Sequence, residues 1–85
     1  MPHRIEIAAA AEHQILRLEA SVRRRIFKKL EALATNPRPI GGEKLTAVDA
    51  YRVPVGDYRI IYDIEDETTT VVVHKVGDRK DVYAR

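Results

Sequence analysis

The chain has 85 residues, 45% of them apolar, with 15 basic and 13 acidic side chains and no cysteine. That length suits a single small domain over residues 1–85 with one shared core, and the missing cysteines exclude disulfides, thiolate metal sites and a thiol nucleophile. A formal net charge of +2 is too mild to hold a protein on nucleic acid by itself, so such a partner must be met by local clusters of basic residues.

No charged-then-apolar leader opens the chain, and no apolar run approaches the roughly 20 residues that span a bilayer, so a cytoplasmic chain without membrane attachment is expected. His3–Ile7 alternates as a short strand with Ile5 and Ile7 on one side. From Ala8 to Leu18 the period changes: Ala11, Ile15 and Leu18 recur at helical spacing. Glu19-Ala20 breaks that helix, and Ser21 is a suitable N-cap for a longer one, with Val22, Ile26, Leu30 and Leu33 as its apolar stripe and Phe27 and Ala34 widening it. Asn36 ends it, because a residue before proline is pushed out of the α region.

Two helices joined so closely form a hairpin whose apolar stripes need a cover, and the rest of the chain reads as the sheet that provides it. Pro37–Lys44 is a Pro/Gly-rich loop, and Leu45–Ala50 leads into the strongest local signal, YRVPVGDYRIIYDI from Tyr51 to Ile64. Gly56-Asp57 fits a type II′ hairpin turn, since glycine accepts positive φ at the first central position. The register follows: Val55 faces Tyr58, Val53 faces Ile60, and Tyr51 faces Tyr62. A polar turn within Glu65–Thr69 leads to a strand at Thr70–Val76, whose Val71-Val72-Val73 run suggests an interior position in the sheet. Pro54, lacking an N–H, belongs on an edge. Gly77–Arg85 forms the tail.

The other side of the hairpin carries Arg52, Pro54, Arg59, Ile61 and Asp63. Arg52 and Arg59 become diagonal neighbours there, roughly 7–8 Å apart at the backbone, close enough for two guanidinium groups to converge on one anion. A bend at Gly77-Asp78 would swing Arg79 over the same face. Three fixed cations and the Tyr83 phenol suit a phosphodiester. Arginine holds phosphate and stabilises developing charge but cannot act as a base, whereas a phenol among guanidinium groups is drawn toward the phenolate and can take a proton. The expected reaction is attack by an RNA 2′-hydroxyl on its own adjacent phosphate, with neither metal nor protein nucleophile. The plain alternative is solvated surface charge, with Arg59 paired to Asp57 or Asp63 and Tyr83 packed on the core.

Arg23, Arg24, Arg25, Lys28 and Lys29 form a basic band beside the stripe of the second helix. Either it is solvated helix surface or, with Lys44, it meets the phosphates of an RNA. His3, His13 and His74 have no metal-ligand spacing. The facing of His74 depends on a turn length the sequence does not fix: on the Arg59 side it would assist proton transfer, on the other it would pack. The GGE at Gly41–Glu43 lacks the helix start and lysine of a phosphate loop, so no nucleotide cofactor is expected.

The stretch YRVPVGDYRIIYDI followed by VHKVGDRKDVY, together with the strand-helix-helix start and the NPRP loop, resembles the signature of the RelE/ParE toxin superfamily, nearest its RelE-like branch. The resemblance covers nearly the whole chain. It implies an α+β fold, a small, mostly antiparallel four-stranded sheet in the order β-α-α-β-β-β with the N-terminal helical hairpin packed on one face. It also implies a toxin of a type II toxin–antitoxin system: a ribosome-dependent messenger-RNA endoribonuclease neutralised by a RelB-like antitoxin, with Arg52, Arg59, Arg79 and Tyr83 at the catalytic positions. Pro54 stands where relatives place a second basic residue, and Asp78 replaces a frequent histidine with a negative charge that would pair with an arginine and weaken phosphate binding. On this resemblance the basic band of the second helix would meet ribosomal RNA phosphates. The alternatives are a ParE-like toxin that poisons DNA gyrase by binding, and a catalytically weakened toxin that mainly binds its antitoxin.

Overall fold

The computed structural model describes residues 2–45 and 50–78. The elements follow in the order β1 (Arg4–Ile7), α1 (Ala9–Leu16), α2 (Ala20–Thr35), β2 (Glu43–Lys44), β3 (Tyr51–Val55), β4 (Tyr58–Glu65) and β5 (Thr70–Asp78). They build one sheet in the order β1-β5-β4-β3-β2, antiparallel throughout except that β1 runs parallel to β5. The α+β class is as expected, but among the described residues the sheet has five strands rather than four. The extra one, β2, is two residues long, too short for any hydrophobic period to reveal it.

The hairpin adopts the expected register, Val55 opposite Tyr58, Val53 opposite Ile60 and Tyr51 opposite Tyr62. Gly56 has φ 60° while Asp57 stays at negative φ, which is the type II′ pattern. Alternation then drives Val53, Val55, Ile60 and Tyr62 into the core, where they meet Ala11 and Ile15 of α1, Ile26, Leu30 and Leu33 of α2, and Val71, Val73 and Val76 of β5. Each large side chain so buried contributes about 1.5–3 kcal/mol. β5 lies inside the sheet, as its valine run suggested. Pro54 lies on an edge in the sense required: β2 pairs only with Tyr51 and Arg52, so among the described residues β3 has no outer partner strand at Pro54 and its missing N–H breaks no ladder.

The helix boundaries differ from expectation. α1 ends at Leu16, and the next backbone N–H groups reach back three residues, Arg17 to Gln14 and Leu18 to Ile15, a tightening common at helix ends. α2 starts one residue before Ser21, with Glu19 at the N-cap and no side-chain cap. Ser21 is therefore inside the first turn. The junction is held instead by Arg23, whose Nη1 donates to the Leu18 carbonyl at 2.8 Å. Phe27 does not widen the buried stripe: it is 44% exposed, being one residue, or about 100° of helical turn, from buried Ile26. Asn36 ends α2 as expected, in extended conformation.

β5 outruns β1, which pairs with it only from Thr70 to Val73. α1 covers the remaining edge: the Ala8 N–H donates to the Val73 carbonyl at 2.9 Å, and the Val76 N–H donates to Gln14 Oε1 at 2.7 Å. These two bonds serve part of the sheet margin that β1 leaves uncovered. Gly77 and Asp78 continue β5 opposite Arg59 and Tyr58, so the bend expected at these two residues is absent. Among the described residues no helix is long and apolar enough to cross a membrane.

Candidate functional site

The helices cover one face of the sheet. On the other face, β3 and β4 present Arg52 opposite Ile61 and Pro54 opposite Arg59, which makes the two arginines diagonal neighbours as the hairpin register required. They line a common depression of about 120 Å³ together with Gly41, Glu43 and Pro54. On β5, Gly77 stands opposite Arg59 and Lys75 opposite Ile61.

Neither arginine stands alone. Arg52, whose side chain is 28% exposed, binds Glu43 Oε1 through Nε at 2.8 Å and Nη2 at 2.6 Å. Arg59 Nη1 donates to the Tyr58 carbonyl at 2.9 Å and reaches the Gly56 carbonyl at 3.4 Å. Backbone acceptors of the turn thus hold one guanidinium and a β2 carboxylate holds the other, both at the edge of a small concavity. A pair of such forks matches the oxygens of a phosphate, and neither can take a proton from a nucleophile. Asp63 lies 4.0 Å from His74 Nε2.

His74 occupies the register shift where Ile61 faces Lys75 but Tyr62 faces Val73. It is exposed on the Asp63 side of the sheet, the side of Arg59, and is not a packed core residue. Asp78 falls opposite Tyr58, so strand alternation directs it away from the Arg59 side. Arg79 and Tyr83 lie outside the described residues.

The predicted basic band divides. Arg25, Lys28 and Lys29 line a groove of about 460 Å³ between α2 and the hairpin end, floored by Ala32, Pro54, Val55 and Gly56. Arg24 is exposed on the same helix, whereas Arg23 is engaged at the helix junction. Lys44 is paired with Tyr51, not with the arginine face: its Nζ sits 5.4 Å from the Tyr51 ring centroid.

Two residues were not singled out from the sequence. Glu43 is one, and only the β2–β3 pairing reveals it. Arg38 is the other, and it organises the opposite end of the hairpin: it binds Asp66 at 3.0 Å and the Tyr51 hydroxyl at 3.4 Å, and lies 5.7 Å from the Tyr51 ring centroid. Its hydrogen bond to Asp66, then that to Tyr51, raises its pKa further. Tyr51 stacks on Tyr62 with centroids 5.7 Å apart. Tyr62 is fully buried and donates its hydroxyl to the Pro37 carbonyl at 2.7 Å. Burial first, and Tyr51 second, push its pKa up to about 12, against a small opposing effect of Arg38; it is a structural phenol, unsuited to proton transfer. Among the described residues no cluster of histidine, aspartate and glutamate has a metal-binding arrangement.

A family model described as the ParE toxin of type II toxin–antitoxin systems matches residues 5–83. The chain is similar to the toxin RelG of Mycobacterium tuberculosis, 53% identical over 30 residues, which are 35% of this chain and 34% of that one. This match spans about a third of the relative's length. Among solved structures, a chain of the Mycobacterium tuberculosis RelBE2 toxin–antitoxin complex shares the fold with a TM-score of 0.85 at 24% identity, covering 93% of both chains. A chain of the archaeal RelE–RelB complex from Pyrococcus horikoshii matches with a TM-score of 0.83 and 26% identity, covering 93% of this chain and 97% of that one. The Escherichia coli RelBE complex gives 0.80 and 28%, covering 89% and 95%.

Proposed function

Because the chain belongs to the ParE toxin family of type II toxin–antitoxin systems, we propose that it is a RelE-like endoribonuclease, a single cytoplasmic domain that cuts messenger RNA on the ribosome and is silenced by a RelB-like antitoxin. The observation that carries this reading is the shared depression of Arg52 and Arg59, two cations from neighbouring strands that border a volume suited to one phosphate. The similar solved chains named RelE, which were crystallised with RelB partners, support the antitoxin.

The chemistry needs no metal. The 2′-hydroxyl of one nucleotide attacks the adjacent phosphorus and gives its proton to Tyr83. The 5′-oxygen of the next nucleotide leaves and takes up a proton, so the products are a 2′,3′-cyclic phosphate and a free 5′-hydroxyl. Arg52, Arg59 and Arg79 bind the non-bridging oxygens and stabilise the pentacoordinate state, each fixed donor contributing about 3–4 kcal/mol when aligned. DNA, without the 2′-hydroxyl, is not a substrate. Arg24, Arg25, Lys28 and Lys29 meet RNA phosphates on the ribosome, and reversing the charge of Arg24 and Lys28 tests that role by a salt titration of ribosome association.

Primer extension on translated messages after induction tests the reading. Cuts at defined codon positions are expected, and an Arg79→Ala, Tyr83→Phe variant should lose them while still binding antitoxin. Cuts that persist in the variant would remove those residues from the chemistry. A second reading, a toxin that poisons DNA gyrase by binding, is favoured by the ParE name of the matching family model; it gives cleaved DNA trapped on gyrase and no RNA cuts.

A further inference from the structure

Pro54 lines two concavities. It borders the depression of Arg52 and Arg59 on one side and, on the other, the larger groove of Arg25, Lys28 and Lys29. We propose that these are one continuous track for single-stranded RNA, in which the nucleotide beside the reactive phosphate crosses the Pro54 ring and the following backbone phosphates lie on Arg25, Lys28 and Lys29. The inference rests on the nuclease reading and specifies how that site holds its substrate.

Three observations support the track. The cations of the groove are all on α2, spaced over one helical turn, and among the described residues no carboxylate lines it, so its charge complements a polyanion. Its floor is apolar, with Ala32, Val55 and the exposed Pro54, which suits the faces of ribose and base as the cations suit phosphate. The Arg25 guanidinium also lies against the hairpin turn. A Cβ placed on Gly56 would come within 2.6 Å of Arg25 Nη2 and 3.2 Å of its Cζ, so the glycine that permits the turn also admits the guanidinium against it. The groove volume, about 460 Å³, falls within the usual range for a small-ligand site, about 300–1,000 Å³. Pro54 provides no charge at the boundary, and the neighbouring helix supplies three cations.

The test uses the full chain in an NMR titration with two uncleavable probes, a 2′-O-methyl uridine dinucleotide and the corresponding octanucleotide, and with an octaglutamate peptide as control. The dinucleotide should shift the signals of Arg52 and Arg59 only, and the octanucleotide should shift these and also Arg25, Lys28, Lys29 and Gly56. Replacing Arg25, Lys28 and Lys29 by alanine should leave dinucleotide binding unchanged. It should weaken octanucleotide binding at least tenfold at low salt and reduce the slope of log affinity against log salt by about 2, at about 0.7 per phosphate contact on a single strand. A dinucleotide that shifts Arg52 and Arg59 while the octanucleotide adds nothing at the groove overturns the track and leaves the nuclease reading standing. A dinucleotide without effect at the arginines removes the anchor from which the track starts and overturns it, while the nuclease reading is judged separately by the cuts on translated messages. Tighter binding of octaglutamate than of the octanucleotide at the groove assigns it to an acidic protein segment and also overturns the track.

Discussion

Glu43 and Arg52 face each other across β2 and β3, and a single carboxylate oxygen of Glu43 takes both Nε and Nη2 of the guanidinium. The fork that would grip a phosphate is thus occupied by a carboxylate from the neighbouring strand. Binding of an RNA phosphate to Arg52 must open that pair or share it. With Glu43 62% exposed, the pair is worth no more than about 1 kcal/mol. Glu43→Gln should therefore tighten binding of a phosphodiester probe by less than about fivefold. The melting temperature should scarcely move. Anisotropy titration with a labelled, uncleavable RNA measures this, and weaker binding in the variant would show that Glu43 positions Arg52 rather than competing for it.

The same pair marks where sequence reading stops. The hairpin was legible because Tyr51, Val53, Val55, Tyr58, Ile60 and Tyr62 alternate on either side of a Gly-Asp turn, and period and turn chemistry both fix one register. The diagonal placement of Arg52 and Arg59 followed from it. Glu43 was not legible, since a two-residue strand carries no period and its partner is chosen by the path of a Pro/Gly-rich loop. The start of α2 was misplaced for a related reason: Ser21 has the right chemistry for a cap, but the Arg23 bond to the Leu18 carbonyl closes the junction in its place. The facing of His74 depended on a register shift between Ile61 and Tyr62, which leaves no mark in composition.

Tyr62 makes stability pH-dependent in the alkaline range. Its folded pKa, pushed up to about 12 mainly by burial, lies above the reference phenol value of about 10. Between the two values the unfolded chain releases the proton and the folded chain retains it, so the unfolded state binds fewer protons and stability falls as pH rises. The loss should begin near pH 10, reach roughly 2–3 kcal/mol near pH 12, and be absent below pH 9. Tyr62→Phe should remove this component of the alkaline loss. It should also cost about 1–3 kcal/mol at neutral pH by leaving the Pro37 carbonyl unpaired. Urea denaturation of both proteins from pH 7 to 11.5 checks the sign, and an equal alkaline slope in the two would refute the assignment to Tyr62.

Thr69 has φ 54°, a left-handed conformation that a β-branched residue adopts at a cost of about 1–2 kcal/mol. It persists because the backbone on both sides is tied down: the Thr69 N–H donates to the Asp66 carbonyl at 3.2 Å, and its carbonyl accepts from the Arg4 N–H at 2.8 Å. These bonds do not use the side chain. Thr69→Asn keeps them and tolerates the left-handed region better, so it should raise stability by about 0.5–1 kcal/mol. Thermal unfolding measures the gain; a lower melting temperature would mean that the threonine side chain supports the turn.

Arg52 and Arg59 come from different strands but line one depression, so in the nuclease reading they act on the same phosphate. Single alanine replacements should each lower the first-order cleavage rate on ribosome-bound message by about 10²–10³, as loss of one fixed donor to developing charge does. Their effects should not multiply. Once one donor is missing, the phosphate is less tightly held and the other guanidinium meets it in poorer alignment, so the double variant should be clearly less impaired than the product of the singles. The Arg59 change has a second consequence, because its guanidinium also binds the Tyr58 and Gly56 carbonyls beside the hairpin turn. Those carbonyls are near solvent, and water replaces the lost donor at a stability cost below that of a buried bond. Arg59→Ala should therefore lose activity with a melting temperature close to that of the parent chain. Fully multiplicative rate losses would instead indicate that the two arginines bind separate groups of the RNA.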